Sequence, residues 1–339
     1  MLVNVRQYFT PKSIAQKLST LPKLESPVMD TFFPESRRRQ WPLPVIGLDH
    51  IAKVTRAVPV IRRGSPAIPM GQGARAWEWI EPQPVEVSDF FSAVDLNNWK
   101  LLDDVSKDMV ITEKINDMRT VVRNTTEGLC AQALTGTITW PMRLQDGTTD
   151  TYTVDFTNGG ANPLLAYVVG TAWNDNAKTL VSIMDDLIRL EDLFSDQGYS
   201  NPEFWCGRDV YLAAFALAQA ANAGKSSPIN VQINDRSISI GGYTLKLALG
   251  SYYNPALAAQ GVAPTLRVVA DKQILAFARN APFTLYYTAL DDMYANLLPM
   301  PFYARPVEQE DPQGIKVIGK SKPLPVPVPK ALCWVEAIP

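Results

Sequence analysis

Proline is spread so unevenly along this 339-residue chain that it sets the outline of any fold. Of the 27 prolines, 11 fall in residues 1–84, 7 in residues 85–298 and 9 in residues 299–339. Proline lacks a backbone donor and pushes the residue before it away from helical geometry. Both ends are therefore expected to be extended, with the regular structure in the middle. The longest proline-free window, residues 85–140, holds Ile111, Ile115, Met118 and Val122 at helical spacing, beside Val105, Met109, Val121 and Leu129. One long helix over about residues 97–134 follows, ~55 Å long at 1.5 Å per residue. A compact globule of this chain length has a radius of gyration of only ~20 Å, so such a helix is expected to be the spine of an elongated body.

After the spine, the alternation in TITWPMRLQ, the Asp146-Gly147 pair and TDTYTVDF predict a hairpin. A second helix over about residues 176–194, with Asn174, Asp175 or Asn176 as its cap, would present Leu180, Ile183, Met184, Leu187 and Ile188. A third, Ala-rich helix over 208–223 stops at Gly224. The runs INVQI, SISI, YTLKLAL, TLRVVA and QILAFA then cluster instead of alternating with helices, which indicates an α+β fold with antiparallel pairs. The ending GIKVIGKSKPLPVPVPKALCWVEAI reads as two extended segments joined by a proline-spaced stretch. No internal repeat is visible.

Charge follows the same division. The first 84 residues carry 12 basic and 6 acidic side chains, the middle 15 and 24, so a basic arm precedes an acidic body. The net charge of −2 is too balanced for a dedicated nucleic-acid binder. Charged residues make up only 19% of the chain, below the ~25% of an average soluble domain, as expected of a protein that hides surface in an assembly. Cys130, Cys206 and Cys333 are odd in number and far apart, which argues against a disulfide framework or a paired-cysteine metal site and for a reducing compartment. The opening lacks an apolar signal core, and the longest apolar runs fall short of the ~18 residues of a membrane span. The chain reads as soluble and unprocessed.

Catalytic signal is absent. His50 is the only histidine and has no nucleophile motif near it, so it reads as a surface or interface residue. The acid pairs Asp103-Asp104, Asp185-Asp186 and Asp291-Asp292 fall on helices or helix starts, where adjacent carboxylates diverge, and are expected to be solvated or capping. Gly71-Gln72-Gly73 with Ala76 fits a dinucleotide fingerprint only formally, because Pro69 stands where the strand should be and Trp77 where the helix should open. No catalytic, cofactor-binding or metal-binding residue is therefore expected. An enzyme working with carboxylates alone is the remote alternative.

Arg37, Arg38 and Arg39, with Arg62 and Arg63, flank VIGLDHIAKVTRAVPVI and ARAWEWIEP, which look like two strands of a long loop with its tip at residues 65–73. A loop of over thirty residues without its own core usually interacts with something. Together with Trp41, Trp77 and Trp79, these arginines are the candidate inter-subunit contacts.

The succession of SPVMDTFFPES, the segment reaching AVPVIRRGSP and closing at WIEPQPVEV, DMVITEKINDMRTVVRNTTEGLCAQALTG, the hairpin, Trp173-Asn174 and KPLPVPVPKALCWVEAI resembles the lambda-type major head protein family of tailed phages, across essentially the whole chain. The resemblance implies the tailed-phage (and herpesvirus-like) major capsid protein fold: an N-terminal arm (1–44), an extended loop (45–84), a peripheral domain with spine helix and hairpin (85–160), an axial domain (161–296) and a return to the peripheral domain (297–339). It also implies self-assembly into pentamers and hexamers of an icosahedral shell around double-stranded DNA, put together in the bacterial cytoplasm. Expected partners are further copies, a scaffold that is a separate protein because this chain opens at the arm, a portal, a decoration protein, and packaged DNA in non-specific contact. A phage tail or baseplate part is the alternative. On charge, the basic arm is expected to serve inter-subunit contact in preference to lining the shell interior.

Overall fold

The computed structural model describes residues 13, 16–17, 21–22, 24–47, 79–101, 103–144, 146–223, 229–259 and 261–339. At its centre lies a seven-stranded mixed sheet in the order Leu165–Ala166, Leu332–Glu336, Gln273–Phe277, Glu203–Cys206, Tyr243–Leu247, Ser237–Ile240, Val231–Asn234. Antiparallel pairs dominate, as expected, but Leu165–Ala166 runs parallel to Leu332–Glu336 and Glu203–Cys206 parallel to Tyr243–Leu247. Register decides the two faces, because paired residues share a side. Trp205, Leu275 and Trp334 stand on one face, Phe204, Ile274, Ala276 and Leu245 on the other.

The first face is covered by the helix Pro27–Phe32 and by the end of the spine helix. Phe32 sets its ring 5.3 Å from Trp205 and 4.4 Å from Phe277, and the Trp334 indole donates to the Leu134 carbonyl, where the spine ends, at 2.9 Å. The second face carries the helices Leu180–Asp196 and Arg208–Ala223. Phe204 meets Tyr243 there, and the Tyr243 hydroxyl donates to Glu191.

The spine is the 30-residue helix Asp104–Ala133, ~45 Å long. It starts later than the apolar pattern suggests because two local signals intervene. Ser92 and Asp95 form a reciprocal capping box that opens the separate helix Ala93–Asn98, and after the tight turn Trp99–Leu101 the Asp103 carboxylate caps the spine by accepting from the Ser106 amide. Toward its start the spine lays Ile111, Ile115 and Met118 on Phe91, Trp99, Ala304 and Val317. The partner sheet there is Tyr303–Gln309, Gly314–Ser321 and Val85–Ser92. Toward its end Leu129 and Ala133 join Ile138, Val154 and Phe156 of the hairpin, which pairs Thr137–Arg143 with Thr149–Asp155 as the sequence indicates. Gly147 at its turn has φ +86°, which explains a glycine there.

The second helix also begins later than expected. Thr179 and Ser182 cap it reciprocally, while residues 174–178 turn about Asp175. Leu180, Ile183 and Leu187 are buried on it, but Ile188 is exposed. The proline-rich ends are less extended than proline alone implies. Pro27 sits in the first turn of the helix Pro27–Phe32, where a missing amide costs nothing. Pro323–Val326 is itself a fully buried strand, paired with Thr284–Thr288, which in turn runs parallel to Arg38–Trp41. With Pro323 and Pro325 in alternate positions it lacks two outward donors, so proline fits at this sheet edge. The closing segment 297–339 thus contributes a strand pair, this edge and an inner strand of the seven-stranded sheet.

Candidate assembly surfaces

The arm is fastened to the spine through its own backbone. The helix Pro27–Phe32 has no side-chain cap, so its first amides need partners. Glu127 supplies them, accepting from Val28 and Met29 at 2.7 and 2.9 Å. Burial pushes the Glu127 carboxyl above its ordinary value, against the pull of those two amides. One turn earlier on the spine, Arg123 donates to the Ser26 hydroxyl at 2.6 Å and to Asp30 at 3.1 Å. Arg38 donates to Asp30 at 2.6 Å and to the Phe33 carbonyl at 2.8 Å. Burial raises the Asp30 pKa, but the Arg38 bond, the Ser26 amide and the two guanidinium charges outweigh it and hold the carboxyl below its ordinary range. Phe32 and Phe33 are buried behind this clasp, so TFF is core of the subunit itself.

The arginine triad accordingly splits. Arg38 is spent inside the subunit. Arg37 donates to the Arg279 carbonyl at 2.9 Å and sits beside the Arg279 charge. Arg39 is exposed on the strand Arg38–Trp41. Trp41 is half-buried, donating to the Val45 carbonyl and packing edge-on against Tyr286. Trp79 is 51% exposed in the short ladder with Ile46–Gly47 that forms the foot of the loop. Arg62, Arg63 and Trp77, with His50, the loop tip at 65–73 and the glycines at 71 and 73, lie outside the described residues.

One of the acid pairs differs from expectation, at Asp186, and in another the capping Asp292 is buried as well. Asp103 caps the spine and Asp185 is exposed, paired with Arg189. Asp186 instead is buried and accepts from Tyr167, Trp173 and Lys178, tying the strand Leu165–Ala166 and the lead-in at 173–178 to the second helix. Asp292 is also buried, accepting from Arg305 at 2.6 Å and capping a turn through the Tyr294 amide. Glu127, Asp186 and Asp292 are the structure's internal rivets. Adjacent-acid spacing cannot distinguish a rivet from a solvated neighbour, because what decides it is the cation brought in from another element. Burial raises the thiols of all three cysteines, Cys206 and Cys333 to about 12. Among the described residues no helix is long and apolar enough to cross a membrane.

The family model described as phage major capsid protein E matches residues 10–337. Among solved structures, the chain is similar to a protein of Escherichia coli CFT073 assigned as a prophage capsid protein, at 16% identity and a TM-score of 0.63, covering 98% of this chain and 99% of that one. It is also similar to a phage-related protein of Bordetella bronchiseptica RB50, at 10% identity and a TM-score of 0.47, covering 97% of each chain. A Mycobacterium phage Che8 structure matches at 10% identity and a TM-score of 0.41 over 94% of this chain and 97% of that one. No curated protein matches the sequence significantly.

Proposed function

Because the chain belongs to the phage major capsid protein E family, it is a structural protein of the phage head shell and not an enzyme, and we propose how its parts divide that task. Residues 1–44 act as the arm, 45–84 as the extended loop, 85–160 as the peripheral domain on the spine, 161–296 as the axial domain and 297–339 as the returning strands. Copies associate as hexamers and pentamers, with a separate scaffold, a portal and a decoration protein as further partners and packaged DNA inside. Arg37, Arg39 and Trp79, with Trp41, Arg62, Arg63 and Trp77, reach neighbouring subunits, while Arg38 keeps the arm seated.

The observation that carries the inter-subunit reading is the half-exposed Trp79 at the foot of the loop. Leaving half an indole in water forfeits about 25 cal/mol for each Å² of apolar surface, which a neighbouring subunit recovers. Electron microscopy of the concentrated protein tests the whole reading, with closed shells or capsomer rings expected and tubes or small discrete oligomers contradicting it. Within that assay Arg37→Gln with Arg39→Gln reduces assembly of empty shells without changing subunit melting, whereas Arg38→Gln lowers melting itself. Normal empty shells from the first variant would remove these arginines from the interface.

A further inference from the structure

The turn between the strands Thr284–Thr288 and Tyr303–Gln309 holds apolar side chains out into solvent on a rigid frame. Met293 and Tyr294 are 85% and 74% exposed, Leu297 and Leu298 55% and 50%. Beneath them Leu290, Ala295 and Tyr303 form a small core with Met300. The buried Asp292 accepts the Tyr294 amide at 3.0 Å and the Arg305 guanidinium at 2.6 Å, and that guanidinium lies 4.9 Å from the Tyr294 ring. The Leu297 amide returns to the Asp292 carbonyl at 3.2 Å and the Asn296 amide to the Met293 carbonyl at 3.1 Å. Closing the turn this way places Asn296 and Leu297 at φ 52° and 55°, a region disfavoured for leucine. The fold thus accepts backbone strain and a buried carboxylate, and the outcome is an apolar tip left exposed except where the Arg305 guanidinium lies over one face of Tyr294.

Side chains of this size and exposure present on the order of 400 Å² of apolar surface, comparable with the largest patch of a typical monomer. That is about half of what one partner contributes to a stable interface, so the tip suits the dry centre of a contact whose rim is polar. A second apolar surface on the same chain is likewise left open by the described residues. Leu101, Val105 and Met109 are 88%, 68% and 68% exposed, the latter two at i and i+4 on the outer side of the first turns of the spine. Tip and stripe are exposed together, so they do not serve each other within one copy.

We propose that the tip formed by Met293, Tyr294, Leu297 and Leu298 of one copy seats on the Leu101, Val105 and Met109 stripe of a second copy. The two surfaces differ, so the contact is heterologous, and each copy offers one tip and one stripe. Contacts of this kind pass from copy to copy around a ring. The stripe includes a methionine, whose unbranched side chain adapts to a bulky tyrosine. This rests on the reading that the chain assembles with itself.

The test uses the full-length chain. Met293→Ser with Tyr294→Ser is expected to raise the concentration needed for assembly at least about tenfold, with an unchanged circular-dichroism spectrum and a melting temperature lowered by no more than the Tyr294→Ser change alone lowers it. Met293→Cys and Met109→Cys placed in separate chains are expected to give covalent dimers with a short bifunctional thiol cross-linker only when the two are mixed and assembled. Both changes in one chain give a ladder of multimers. Cys130, Cys206 and Cys333 are fully buried and leave the background silent. Assembly of the serine variant at the normal concentration, or assembled particles without the cross-link, overturns the proposal. Should the serine variant misfold, the cross-link alone decides. Failure of the unaltered chain to form shells or rings overturns the assembly reading instead, and the proposal with it.

Discussion

The two ends of the spine helix show how one element serves two purposes. Residues 126–131 are buried without a break, wedged between the central sheet's core and the hairpin's cluster. Even a small side chain would not fit at Gly128, where a Cβ would lie 2.6 Å from the Trp140 ring. The other end rests on a cluster of only seven buried residues and turns Val105 and Met109 outward. An apolar side chain near the end of the spine is already used by the fold. Near its start the same residue type is left over, and a helix that keeps part of its apolar surface for neighbours is less stable on its own at that end.

The strongest way to break this contrast is Ile115→Pro. It removes a mid-helix hydrogen bond and a fully buried side chain, costing ~3 kcal/mol or more. Hydrogen exchange should show protection lost over residues 85–125 while the strands Gln273–Phe277 and Leu332–Glu336 keep theirs. Loss of protection in all of them would mean that the two ends form one cooperative unit.

Asp30→Asn probes the buried end. Removing a charge-assisted acceptor from Arg38 and Arg123 should cost about 1.5–3 kcal/mol near neutral pH in denaturant titrations. The folded carboxyl sits below its unfolded value, so its contribution is present above pH 3.8 and is lost as pH falls through the folded value. Variant and parent stabilities should therefore converge in acid, and a constant gap down to pH 2 would show that the effect is not ionic. The smallest effect is expected from Asp103→Ala, which removes the spine's cap at an exposed position. Faster exchange should stay confined to the first turn. Spreading beyond residue 115 would make the start of the spine weaker than its packing indicates.

Much of this architecture was legible because it rests on local signals. The apolar spacing of Ile111, Ile115 and Met118 and the Asp-Gly turn each reflect chemistry within a few residues, whereas Gly224 lies outside the described residues. The failures share a cause as well. The break before Asp103 was hidden because Trp99 and Leu101 continue the apolar rhythm while a capping box interrupts the backbone. Glu127 and Asp186 look like surface carboxylates until residues about 100 and 8–19 positions away supply their donors. Arg38 was grouped with Arg37 and Arg39 as an external contact. Strand alternation turns it to the side opposite Arg39, toward Asp30, which composition cannot reveal.

The place of Leu332–Glu336 inside the seven-stranded sheet has a consequence for the order of events during synthesis. The strand is hydrogen-bonded on both sides, and the face it shares is closed by Phe32, some three hundred residues earlier. Pairing across that separation is slow and waits until the late strand has emerged from the ribosome. A chain interrupted before residue 332 leaves a gap between Leu165–Ala166 and Gln273–Phe277 and uncovers the edge carrying Leu275 and Phe277, which pair with Trp334 and Leu332. Such a fragment is expected to be cleaved by proteases faster than the full-length chain.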